Sequence, residues 1–184
     1  MARHKDNARE RLMGCMMDIV RDEGAGALTY DNLVAKSGLT RGGILYHFPS
    51  KESMLQGLVD HFMRQELGKV EERWEKHGKT PDGLLKAEIE CALEADDKDQ
   101  QISVSLLPVV IQNPAMMKEI QQIVEERYKN LDQTSVGFEK AALTLLVIDA
   151  FEMSKAFGFT LLSEKKRKQV LKLLYALVEG KKSL

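Results

Sequence analysis

Arg41, Tyr46, His47 and Lys51 fall close together in the stretch LTYDNLVAKSGLTRGGILYHFPSKESML, which runs from Leu28 to Leu55. A guanidinium, a phenol, an imidazole and an ammonium group in so short a span are donors for oxyanions, phosphate above all. Arg41 has a further option, because a guanidinium can bond a guanine edge bidentately; the residue pattern leaves base readout and phosphate grip both open. Gly42 and Gly43 stand beside it, although two adjacent glycines in a helix cost about 1 kcal/mol each relative to alanine. A backbone that must approach another molecule closely is a reason to keep them. Lys51 carries a cation into the first turn of a helix, where the helix dipole disfavours it unless an anion lies nearby.

The elements that must position these groups are legible around them. Thr29 is placed to cap a helix starting at Tyr30, with Leu33 and Val34 as its buried stripe, and Gly38 turns the chain after Ser37. Thr40 caps the next helix. Its Ile44 and Phe48 lie one turn apart on the inner face, which leaves Arg41, Gly42, Gly43, Tyr46 and His47 largely on other faces. Pro49 stops that helix and Ser50 caps a third. Before them, Ala8, Leu12, Cys15, Met16 and Ile19 mark the apolar stripe of a first helix. Two short helices joined by a glycine turn, with another starting at once, form the outline of a helix-turn-helix head for DNA.

At ILYHFPSKES, residues 44 to 53, the chain resembles the tetracycline-repressor (TetR) family of transcriptional regulators, whose signature is a hydrophobic residue, one or two aromatics, His-Phe, a short turn, lysine and an acid. The resemblance covers residues 6 to 58, and the length and helical pattern of the rest agree with it. Leu45 departs from the pattern, since many members carry the first of two aromatics there. Carried over by position, the resemblance implies phosphate or base contacts from Thr29, Tyr30, Thr40, Arg41, Gly42, Gly43, Tyr46, His47 and Lys51. His47 equally suits a surface histidine at the end of its own helix, and Tyr46 can pack its ring while exposing its hydroxyl.

Composition bounds the remainder. The chain has 184 residues, 43% of them hydrophobic, which suits a small head and a larger helical body, and the expected division is 1–50 and 51–184. The formal net charge is -1, but residues 1 to 51 carry 8 Lys/Arg against 6 Asp/Glu and the remainder 19 against 22. So slight a bias does not by itself indicate nucleic acid. Arg3, Lys5, Arg9 and Arg11 can reach a minor groove or stay solvated. No secretory signal is read at the amino end, and the longest apolar stretch, Ala141 to Phe159, is broken by Thr144, Asp149, Glu152 and Lys155. The expectation is a cytoplasmic protein that spans no membrane. Cys15 and Cys91 match no zinc or redox spacing; Cys15 reads as packing, and a thiol sensor at Cys91 is the alternative to an inert one. With His4, His47, His61 and His77 scattered, and with no GxSxG, HExxH, Walker or Rossmann sequence, neither catalysis nor a cofactor is expected.

Past the head the pattern is all-α. A long fourth helix starts at Ser50 and runs through Leu58 and Phe62 toward Trp74, linking head to body. Thr80-Pro81 opens the next helix and the charged run at 95–99 ends it. A shorter helix covers Ile102 to Ile111, bending or stopping at Pro108. Asn113-Pro114 opens another, with Met117, Ile120, Val124 and Leu131 at helical spacing. The last two, about Val136 to Phe159 and Ser163 to Gly180, are apolar on more than one face and must be covered on both. A monomeric core is one cover. The family resemblance implies the other, a homodimer through the two carboxy-terminal helices, which would present two recognition helices to a palindromic double-stranded DNA operator about 34 Å apart. It also implies a repressor released by a small-molecule effector bound beside the fourth helix. Phe62, Met63, Glu66, Trp74, Met116, Met117 and Tyr128 are the candidate lining residues, each of which also suits ordinary core or surface. An all-helical interaction module without DNA binding is the alternative that the near-neutral head and Leu45 leave open.

Overall fold

The computed structural model describes residues 2–95 and 97–181, with side chains from Ala8 to Ala95 and from Gln101 to Lys181; Arg3, Lys5 and Asp96 of the sequence reading lie outside these. Within them the chain is all-α: α1 (Ala2–Glu23), α2 (Tyr30–Ser37), α3 (Arg41–His47), α4 (Lys51–Lys76), α5 (Pro81–Glu94), α6 (Asp97–Ile111), α7 (Pro114–Tyr128), α8 (Phe138–Ala156) and α9 (Glu164–Val178). Single 3-10 turns at Ala25–Ala27 and Leu131–Gln133 complete it.

The expected caps are in place. Thr29 accepts from the Asn32 amide, Thr40 from Gly43, Thr80 from Gly83, and Asn113 from Ala115 and Met116. At α4 the capping is reciprocal: the Ser53 amide donates to Ser50 Oγ at 3.1 Å, and the Ser50 amide donates to Ser53 Oγ at 3.0 Å. Each cap satisfies amides that would otherwise lack partners, a contribution of about 1 kcal/mol apiece. Gly38 closes α2 at φ 66°, a left-handed conformation that a side chain would strain, and its amide returns to the Val34 carbonyl.

Two hydrophobic cores result. The first joins α1 (Leu12, Met16, Ile19), α2 (Leu33), α3 (Ile44, Phe48) and the start of α4 (Met54, Leu58). It also takes in Ile102, Leu106 and Val110 of α6 and Met116 of α7, so the head is packed directly on the body. The second gathers Leu85 and Ile89 of α5, Leu145, Ile148 and Phe151 of α8, and Leu171, Leu174 and Leu177 of α9. α4 leaves the first core, passes along α5, and so runs from one unit into the other.

Three boundaries differ from the sequence reading. α6 begins at Asp97 and continues through Pro108 to Ile111. An acidic run favours a helix start as readily as it follows a helix end, and Pro108 is exposed, so the backbone bond it lacks falls where water replaces it. α7 ends at Tyr128, and Leu131 reaches the second core from a 3-10 turn. α8 is shorter than expected, bounded by Gly137 and Gly158 at φ 82° and 77°. Its buried face holds Thr144 and Ser154 as well as aliphatics; their hydroxyls donate to the Lys140 and Phe151 carbonyls, each at 2.8 Å, which makes polar residues tolerable there. Its opposite face is apolar yet open, with Leu143, Leu146 and Met153 exposed by 48%, 55% and 59%.

Candidate nucleic-acid interface and internal cavity

α3 turns Ile44 and Phe48 fully inward and Arg41, Gly42 and Tyr46 outward, with Tyr46 65% exposed. Gly42 is exposed, and a methyl group added to it would meet nothing within 4 Å; at Gly43, half-buried, the nearest atom would be Thr40 Oγ1 at 3.4 Å. These glycines therefore answer no packing need inside the protein. Arg41 is preset by neighbours on α2: Nη1 donates to Asp31 Oδ1 at 2.9 Å, and the guanidinium lies 5.2 Å from the Tyr30 ring centroid. Tyr30 is fixed in turn, its hydroxyl donating to the Phe48 carbonyl at 2.9 Å. His47 packs edge-on against the Tyr46 ring. Lys51 reaches from the start of α4 to the Gly26 carbonyl at 3.1 Å, which gives its ammonium a partner in the free protein. Thr29 and Thr40 spend hydroxyl acceptor capacity on their caps while their hydroxyl protons remain available. The starts of α2, α3 and α4 thus meet around α3. Beneath them, Arg11 donates to the Ser37 carbonyl, which ties α1 to the turn before α3.

A cavity of about 310 Å3 opens where α4, α5, α6, α7 and α8 converge. Its wall includes Phe62, Met63 and Glu66 from the candidate set, with Val70, Cys91 and Ile123 beside them. Trp74 stands instead in an adjoining outer groove of about 950 Å3, where its indole donates to the Thr80 carbonyl at 2.7 Å. Met116 is buried in the first core, Met117 is 43% exposed, and Tyr128 packs on the second core; none of the three is on either wall.

Sequence reasoning passed over Glu88, Arg127 and Asp149, which meet at this cavity. Arg127 Nε donates to Glu88 Oε1 at 2.7 Å and Nη1 to Asp149 Oδ1 at 2.9 Å, while the Tyr128 hydroxyl donates to Asp149 Oδ2 at 2.6 Å. Burial raises the Glu88 carboxyl above its ordinary range, with Arg127 pulling the other way; burial also opposes the charge of Arg127, but its two carboxylates more than offset this. A usable signal existed, since Glu88 interrupts the apolar run of α5 and Asp149 that of α8, and a charge on an apolar face must find a partner. The cavity also holds Cys91, whose thiol burial pushes up to about 11, so it is protonated at neutral pH.

A glycine-turned pair of short helices on α1, carried by a long helix into an all-α body, defines the class of helix-turn-helix regulators. Residues 17–58 match the family of bacterial regulatory proteins called tetR, and residues 82–179 match the tetracyclin repressor-like C-terminal domain. The chain belongs to the TetR family. It is 26% identical over 136 residues to an uncharacterized HTH-type transcriptional regulator, YerO, of Bacillus subtilis (strain 168). That match covers 73% of this chain and 45% of the relative, so the chain spans less than half the length of this curated relative. Among solved structures it is similar to SCO4454, a TetR-family transcriptional regulator from Streptomyces coelicolor, with a TM-score of 0.69, 17% identity and coverage of 94% and 89% of the two chains. A transcriptional regulator from Rhodococcus sp. Rha1 superposes with a TM-score of 0.66 at 17% identity, over 94% of this chain and 96% of the other. Among the described residues, no helix is long and apolar enough to cross a membrane.

Proposed function

We propose that this protein is a homodimeric transcriptional repressor that binds a palindromic operator in double-stranded DNA and is released from it by a small molecule. Residues 1–50 form the reading head in this proposal and 51–184 the effector-binding and dimerising body. The observation that carries the reading is α3 itself, which has a buried inner edge and an outer edge of Arg41, Gly42 and Tyr46 with open space over Gly42. Thr29, Tyr30, Thr40, Gly43, His47 and Lys51 flank it as phosphate or base contacts in this reading. In this reading Arg41 exchanges Asp31, an exposed and weakly held partner, for a base edge or a phosphate.

α4 supplies the coupling. Met54 and Leu58 lie in the core shared with α3, whereas Phe62, Met63 and Glu66, one to three turns further on, line the cavity. α6 makes a parallel connection, with Ile102 and Leu106 in the head's core and Ser103 on the cavity wall. An occupant that prefers the released spacing of the heads needs a coupling of roughly 1 to 3 kcal/mol to change operator affinity 5- to 150-fold.

Duplex binding by purified protein tests this reading. Affinity is expected to fall steeply with salt as phosphates are neutralised, and Arg41→Ala and Tyr46→Phe are expected to weaken it, with Arg41→Ala costing about 1–3 kcal/mol and neither variant unfolding the protein. Normal operator binding by both variants would refute it.

A further inference from the structure

Resting on the effector reading, we propose that the inner cavity takes a lipophilic cation, an ammonium or similarly charged group on an apolar body, whose charge sits against the Glu88–Arg127–Asp149 triad.

The triad is not balanced. One guanidinium serves two carboxylates, with side chains only 20% exposed at Arg127, 9% at Glu88 and 27% at Asp149. The other charged groups on the wall do not correct this: Glu152 is matched by Lys155 at 3.3 Å, and Glu66 by Lys69 at 2.6 Å. With those two pairs matched, one carboxylate remains in surplus, and it lies at the triad, whose two carboxylates are the least exposed of the four on the wall. A buried charge without compensation is costly, so an occupant that brings a positive charge gains what the protein alone lacks. An anion has the opposite problem, because it must displace a carboxylate already bonded to Arg127 or add to the surplus.

The rest of the wall says what kind of cation. Phe62, Met63, Val70, Ile123 and Ile148 make most of the surface apolar, which suits a weakly hydrated organic cation over a small inorganic one. Among the described residues no three His, Cys, Asp or Glu side chains converge to hold a metal ion. The outer groove has the same sign, with four carboxylates (Glu71, Glu88, Glu119, Glu126) against Lys79 and Arg127. Glu88 and Arg127 belong to both walls, so groove and cavity share the ion pair. A cation entering the groove meets a favourable field before it reaches the triad.

The test compares three probes of one carbon skeleton on the full chain: a benzyl-alkyl quaternary ammonium, the uncharged alcohol and the carboxylate. Calorimetry gives affinity. Alkylation of Cys91 reports occupancy of the inner cavity, with Cys15 in the head as the internal control. The ammonium is expected to bind at least tenfold more tightly than the alcohol, the carboxylate most weakly, and only a bound probe slows Cys91 alkylation. Glu88→Gln and Asp149→Asn, which keep the shape of the hydrogen-bonding groups, are expected to erase the preference for the ammonium while leaving the alcohol's affinity unchanged. Equal affinities, tighter binding of the carboxylate, or no binding by any probe would overturn the proposal, and so would an ammonium preference that survives both substitutions; should either variant fail to fold, the comparison on the unaltered protein decides. Operator release is scored separately. Ammonium binding at Cys91 without loss of DNA affinity would overturn the effector reading and leave the ligand class standing.

Discussion

Gly42 is the residue at which stability and function are expected to part. It sits exposed in α3 with room for a methyl group, so Gly42→Ala should gain up to about 1 kcal/mol from helix propensity, visible as a raised Tm. If the backbone of α3 lies against a groove, the same methyl group intrudes there and operator affinity falls. A variant both more stable and equally good at binding would remove the reason for the glycine. The residues around it differ in how far sequence could reveal them. Thr40 and Ile44 were legible because capping and face are local properties. The partners of Arg41 and Lys51 were not, since Asp31 and Gly26 come from other segments and only the folded chain brings them close. The Glu88–Arg127–Asp149 group needed three helices to meet, and no spacing in the chain announces that.

At the scale of elements, α4 is the helix through which the proposed coupling runs, and at Gly57 its backbone lies directly against the head. A side chain there would place Cβ 2.9 Å from the Phe48 ring and 3.2 Å from Met13, in a core where Phe48 is 2% exposed. Gly57→Val is expected to cost about 1–3 kcal/mol through overpacking, and to weaken operator binding as well because Phe48 closes α3. Chemical denaturation gives the first quantity and duplex titration at native temperature the second; an unchanged midpoint would mean that α4 and α3 are not tightly seated. Helix existence was readable throughout from caps and apolar spacing. What escaped was the start of α6 at Asp97, inside the charged run, and the partition of buried residues between two cores. The burial of Ile102, Leu106, Val110 and Met116 against the head is a tertiary event, with no periodicity of its own to distinguish it from burial in the body.

For the whole molecule, the open apolar face of α8, with Leu173 of α9 exposed by 39%, is the surface that a second copy would cover. A charge placed in the middle of a dimer interface is left without a partner, so Leu146→Glu is expected to yield a monomer by sedimentation that keeps its helical content. Retention of the dimer would move the interface elsewhere. Such a monomer should also lose most operator affinity, because each head alone reads only half of a twofold site. Reading of DNA by paired α3 helices is tested by selecting duplexes from a random pool. The predicted outcome is an inverted repeat with half-sites about one helical turn apart or a multiple of it, bound by an even number of protomers and lost with Arg41→Ala. Enrichment of no sequence, or of a single unrepeated site bound equally well without Arg41, would contradict it.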